Sequence, residues 1–171
     1  RTLTLQAHRD IVLEQNIATS NGALNLVITA DSDSNSTGGV VVKGDLTTRG
    51  GDVTFNGLGT IFSGGSAQTI TTSGGSVDFN GETIIANNFG LSITTSDGDV
   101  TFDSTIDSGN NYDYDSTART WAAAKAENDD TGSTPNDKYL ATVTSSLEMT
   151  AVMVEAEGSQ AWLGGADTGT E

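Results

Sequence analysis

Leu46-Thr-Thr-Arg-Gly-Gly51-Asp-Val-Thr-Phe55 is one of four related decapeptides in this chain. Ile70-Thr-Thr-Ser-Gly-Gly75-Ser-Val-Asp-Phe79 and Ile93-Thr-Thr-Ser-Asp-Gly98-Asp-Val-Thr-Phe102 follow it, and Ile17-Ala-Thr-Ser-Asn-Gly22-Ala-Leu-Asn-Leu26 precedes it. Their starts lie 29, 24 and 23 residues apart, running from 17 to 46 to 70 to 93. Self-similarity at such a period marks a stacked, solenoid-like body in which each unit buries its apolar face against its neighbours.

The shared pattern is apolar, any, Thr, two small or polar residues, Gly, any, apolar, any, apolar. The alternation in Val53-Thr-Phe55, Val77-Asp-Phe79 and Val100-Thr-Phe102 puts Val and Phe on one face of a strand. If each strand pairs with the same segment one coil later, about 4.8 Å along the axis, like residues stack. Phe55, Phe79 and Phe102 then form an interior ladder, Val53, Val77 and Val100 a second, and Leu46, Ile70 and Ile93 a third. Gly51, Gly75 and Gly98 fall at a corner, where positive φ or close backbone approach favours glycine. Eight-residue steps from Val53 to Ile61, Val77 to Ile85 and Leu3 to Ile11 indicate a second arm in each coil. Asn56-Gly57 and Asn80-Gly81 supply turns between the arms. Residues 1–16 read as a partial earlier coil, and the polar run 31–39 as an insertion that leaves the stack. An antiparallel sandwich would not require the same residue types every 23–24 positions. The expected fold is mainly β, a right-handed parallel β-helix over residues 1–109, followed by a partial α+β module over 110–171.

Composition narrows the function. The 171 residues include 21 glycines and a single proline, which suits many strands joined by tight turns. Twenty-three acids against seven bases give a net charge of −16. That excess disfavours nucleic acid, whose phosphates reward Lys and Arg, and docking on anionic lipid. It suits a surface kept soluble by its own charge, with calcium binding as the sharper alternative. With no cysteine, disulfides, thiolate-bound zinc, iron–sulfur clusters and thiol catalysis are excluded. No run approaches the ~18 apolar residues of a membrane span, so no membrane insertion is expected. Arg1 leads straight into a repeat without a signal peptide, and the chain reads as an excerpt of something longer.

Leu3-Thr-Leu-Gln-Ala-His-Arg-Asp-Ile-Val-Leu13, followed by Ile17-Ala-Thr-Ser-Asn-Gly22, resembles the filamentous-haemagglutinin type of repeat found in large exported bacterial adhesins. That repeat runs roughly LTLxAGxDIxL, with Gly where this chain has His8, and the resemblance covers about residues 1–109. It implies an extracellular or cell-surface, outer-membrane-associated location.

Beyond residue 109 the repeat stops. Thr120–Glu127 reads as a short helix of good formers. Residues 128–137 form a polar loop, and Tyr139-Leu-Ala-Thr-Val143 an apolar run. Ser145 with Glu148 makes a capping box opening a second helix to about Glu157, with Leu147, Ala151 and Val154 on one face. The order Thr120-Trp-Ala-Ala-Ala-Lys-Ala126, Tyr139-Leu-Ala-Thr-Val-Thr-Ser-Ser-Leu-Glu148 and Ala161-Trp-Leu-Gly-Gly-Ala-Asp167 resembles the first half of a C-type-lectin-like domain. Trp121, Glu148, Trp162, Gly164 and Gly165 carry that motif. The usual cysteines are missing, and so is the later half that supplies calcium and sugar ligands in such domains. No sugar-binding residue is therefore carried over. The resemblance implies carbohydrate, or another host or environmental surface ligand, as partner of a completed domain, with calcium an option in the full-length parent.

Candidate chemistry is sparse, and no cofactor is evident. His8 is the only histidine, and beside Arg9 and Asp10 it makes no constellation of nucleophile, base and orienter. Asp31, Asp33 and Asn35 echo the start of a calcium loop, but Ser36 and Val42 stand where an EF-hand needs Gly and Glu. They are weak metal candidates within a solvated insertion. Asp52 and Asp99 occupy equivalent points two coils apart with Ser76 between them. Roughly 9.6 Å of separation, two coils at about 4.8 Å, sits near the upper limit for paired glycosidase carboxylates. That leaves a polysaccharide-degrading β-helix lyase or hydrolase as the alternative to a non-catalytic adhesin.

Overall fold

A computed structural model describes residues 1–86, 90–108 and 146–155. The chain divides into two compact units, Arg1–Asn111 and Tyr112–Glu171.

The first unit is a parallel β-solenoid of about 4 turns. The first coil contributes β1 (Thr2–Gln6), β2 (Ile11–Leu13) and β3 (Ile17–Ala18). The second contributes β4 (Asn25–Thr29), β5 (Val40–Val42) and β6 (Leu46–Thr47). The third has β7 (Val53–Asn56), β8 (Gly59–Phe62) and β9 (Gln68–Thr71); the fourth has β10 (Val77–Phe79), β11 (Glu82–Ile85) and β12 (Leu91–Thr94). β13 (Val100–Phe102) and β14 (Ile106–Ser108) start a fifth. Three sheets result, with orders β1-β4-β7-β10-β13, β14-β11-β8-β5-β2 and β12-β9-β6-β3. Every strand pairing is parallel. Two arms were legible in the periodicity; the third side, built from the Leu46–Ile70–Ile93 column, completes the winding.

The interior follows from like stacking on like. Val77 pairs with Val53 and Val100, and Phe79 with Phe55 and Phe102. Leu46 and Ile93 both pair with Ile70. The Phe79 ring lies 4.9 Å from Phe55 at 8° and 4.6 Å from Phe102 at 3°, a continuous offset stack. Phe62 enters from the second sheet and meets Phe55 and Phe79 edge to face at 6.3 and 6.0 Å. Both arrangements place ring edges or offsets against the negative π-face. The central coils are sealed and the last opens: Val53 and Val77 are fully buried, whereas Val100 is 40% exposed.

Two details of register depart from the sequence reading. In the first copy, Leu26 pairs with Val53 and Ile28 with Phe55, two residues later than the decapeptide alignment implied. The corner after Ile17 is longer by that amount, so Gly22 is not the equivalent of Gly51. In the fourth coil Ile61 meets Ile84 rather than Ile85, which instead pairs with Phe62. Asn80-Gly81 turns the corner with one residue fewer than Asn56-Gly57-Leu58, and hydrogen-bonding register overrides sequence spacing.

The glycine corner works by close approach. A Cβ on Gly75 would stand 2.2 Å from the carbonyl oxygen of Gly51, and one on Gly98 would stand 2.1 Å from that of Gly75. Positive φ falls earlier in the corner, on Arg49, Ser73 and Ser96 at 51°, 56° and 66°. The invariant threonine explains itself here. Thr48 and Thr95 donate from Oγ1 to the carbonyls of Gly51 and Gly98 at 2.5 and 2.6 Å, and Thr72 does the same to Gly75. Thr48 and Thr72 are fully buried, so each hydroxyl satisfies itself while closing the bend.

Among the described residues two buried hydroxyls, those of Ser63 and Thr83, have no hydrogen-bond partner. Thr83 is fully buried, and its Oγ1 has no hydrogen-bond partner. Val40 occupies the same column two coils earlier. Thr83→Val keeps the shape and removes the unsatisfied group, so it is expected to raise unfolding free energy by about 1–3 kcal/mol. Urea titration followed by circular dichroism measures the gain.

In the second unit the described residues form one helix, α1 (Ser146–Glu155). It lies within the Ser145-to-Glu157 helix expected from the capping box. Leu147 and Thr150 are buried, whereas Met149 and Met153 are exposed. No helix among the described residues is long and apolar enough to cross a membrane.

Candidate functional site

Asp52 and Asp99 do lie in one column of the solenoid, immediately before the first-sheet strands, with Ser76 between them. Each coil's side chain there accepts the backbone N–H of the next coil's equivalent residue. Asn25 Oδ1 accepts from Asp52 N–H at 3.2 Å, Asp52 Oδ1 from Ser76 N–H at 2.9 Å, and Ser76 Oγ from Asp99 N–H at 3.2 Å. Asn, Asp and Ser share a short side chain with an oxygen acceptor, which reaches a neighbouring amide and little else. The row is thus a chain of inter-coil caps.

The device recurs at the other two corners. Asp10 Oδ1 accepts from Gly39 N–H at 3.0 Å. Asn16 Oδ1 accepts from Asp45 N–H at 2.8 Å, and Asp45 Oδ1 from Thr69 N–H at the same distance. At the ends of the first-sheet strands, Asn80 donates from Nδ2 to Asn56 Oδ1 at 2.7 Å, and Asn56 donates to Thr29 Oγ1 at 3.2 Å. Sequence reasoning missed these caps, although the signal was there: Asn25, Asp52, Ser76 and Asp99 align once the correct register is used.

The insertion folds on its own acids. Asp31 Oδ1 accepts from the N–H groups of Asn35 and Thr37 at 3.0 and 3.4 Å, and Asp33 Oδ2 accepts from Asn35 Nδ2 at 2.9 Å. Asn35 Oδ1 accepts from the N–H and hydroxyl of Thr37. Asp31, Ser34 and Ser36 take positive φ to make the tight winding possible. No cluster of three or more His, Cys, Asp or Glu able to hold a metal occurs among the described residues.

His8 is exposed in the turn between β1 and β2. Gln68 was also missed: it is 1% exposed at an interior corner and donates from Nε2 to the Ser66 carbonyl at 2.6 Å. Of the lectin-like motif, Glu148 lies on α1. Trp121, Trp162, Gly164 and Gly165 lie outside the described residues, as do the expected Thr120–Glu127 helix and Tyr139–Val143 run.

No family model matches the chain, and no curated protein or solved structure matches it.

Proposed function

We propose that this chain is a non-catalytic segment of an exported bacterial cell-surface adhesin. In this reading a right-handed β-helix stalk of filamentous-haemagglutinin-type repeats carries the first half of a C-type-lectin-like recognition module. Right-handedness is the general rule for crossovers between parallel strands. The observation that carries the reading is where the polar column spends its acceptors: Asp52 and Ser76 hold the next coil's amide, which is a scaffold's use of side chains. A glycosidase pair instead has one carboxyl protonating the leaving group and a second attacking or activating water. Carbohydrate or another surface ligand would be engaged by the completed lectin-like domain, with calcium as its option.

The competing reading is a polysaccharide lyase or hydrolase using Asp52 and Asp99. Incubating the chain with acidic and neutral polysaccharides and assaying reducing ends and unsaturated products separates the two. No product above background is expected. Product formation that Asp52→Asn abolishes, while circular dichroism shows the fold retained, would overturn the adhesin proposal.

A further inference from the structure

Asn35-Ser36-Thr37 is a glycosylation sequon, an asparagine followed two residues later by a hydroxyl with no intervening proline. None of the chain's other asparagines has Ser or Thr two places on. We infer that Asn35 is an acceptor for N-linked sugar on the folded chain, readied by Thr37 and Asp33. The inference rests on this loop and not on the adhesin proposal.

An acceptor asparagine must be reachable by an enzyme, and its bulky product must have somewhere to go. Asn35 lies in the excursion between β4 and β5, where residues 33–37 are all exposed. The hydrogen bonds described for Asn35 and Thr37 close within residues 31–37. Sugar on Asn35 Nδ2 therefore disturbs no described contact between coils. Asn16, Asn25, Asn56 and Asn80 differ, because each ties its side-chain amide to a neighbouring coil.

A side-chain amide is a poor nucleophile, because its nitrogen lone pair is shared with the carbonyl as in a peptide bond. Drawing off one Nδ2 proton frees that pair and moves charge onto Oδ1. Thr37 meets that charge twice, donating to Asn35 Oδ1 from its N–H at 3.0 Å and from its hydroxyl. Asp33 Oδ2 accepts from Nδ2 at 2.9 Å, so a carboxylate stands where the proton leaves. Ser36, at a φ of 62°, makes the bend that folds Thr37 back onto Asn35. The co-substrate class is a glycosyl diphosphate, carried on a polyprenol or on a nucleoside. Nδ2 bonds to the anomeric carbon as the bond from that carbon to the phosphate oxygen breaks. The electron pair departs with the diphosphate, and the Nδ2 proton ends on a carboxylate.

Two arms test this on the whole chain and separate the donor carriers. One uses an oligosaccharide transferase with its polyprenyl diphosphate donor, the other a soluble N-glycosyltransferase with a nucleotide sugar. Each enzyme is first shown to be active on a free peptide carrying Asn-Ser-Thr. Intact-mass spectrometry is expected to show one glycan per chain in at least one arm, and fragmentation to place it on Asn35. Circular dichroism should show the solenoid retained after transfer. Thr37→Ala and Asn35→Gln are expected to abolish transfer, and Thr37→Ser to keep it. Asp33→Asn, which keeps the shape and removes the charge, should slow transfer about tenfold, the effect of one charged hydrogen bond. No glycan in either arm, transfer to Thr37→Ala at the unmodified rate, or a rate indifferent to Asp33 would overturn the inference.

Discussion

Replacing Phe79 by alanine is expected to lower the unfolding free energy of the solenoid by about 3–5 kcal/mol, the range for emptying an aromatic site in a packed core. Phe79 is fully buried and sits between the rings of Phe55 and Phe102, with Phe62 across the tube. Its removal leaves a void between the Phe55 and Phe102 rings, which both stack on it, and rigid strands limit collapse around it. Phe102→Ala should cost less, because Phe102 is only partly buried and has one stacking partner among the described rings. Urea titrations of both variants, followed by circular dichroism, give the comparison. Equal losses at the two positions would mean that the ladder is not the cooperative centre of the tube.

Gly75→Ala should be comparably severe for a different reason. The added methyl would lie 2.2 Å from a carbonyl oxygen and 2.4 Å from the carbonyl carbon of Gly51, both backbone atoms of the preceding coil. No side-chain rotation relieves such a clash, so adjacent coils must separate. About 3 kcal/mol, the upper end of ordinary overpacking, is the expected loss. Gly74→Ala is the informative neighbour. Its Cβ would meet open space, but φ is +119°, so the penalty there is backbone strain alone, about 1–3 kcal/mol. Ser73→Gly, which removes a side chain from a φ of 56°, should be neutral or slightly stabilising.

These expectations trace back to what a parallel winding writes into sequence. Stacking demands the same shape at the same place in each coil, so the Phe, Val and Leu/Ile columns could be read directly. Corners are less legible, because the chain can gain or lose a residue there while strand pairing is preserved. Leu26 and Ile28 therefore paired two places later than the aligned decapeptides, and Ile84 rather than Ile85 met Ile61. Glycine was ambiguous for a related reason. Gly51, Gly75 and Gly98 answer to crowding from the coil below, a non-local cause, whereas left-handed backbone falls on Arg49, Ser73 and Ser96. The acidic column was seen as a column, but its work was hidden. Whether a carboxylate faces a substrate or a neighbouring amide depends on the coil spacing that sets Asp52 Oδ1 against Ser76 N–H at 2.9 Å.

The 31–39 excursion has one more consequence. Its base is fastened at both ends to the turn below: Asp31 N–H donates to the Arg9 carbonyl at 3.2 Å, and Gly39 N–H to Asp10 Oδ1 at 3.0 Å. Between those rivets its hydrogen bonds run largely within itself. A foreign peptide spliced in at Ser34 would accordingly travel as a passenger, displayed at a fixed height on the cylinder wall while the windings beneath keep their hydrogen bonds.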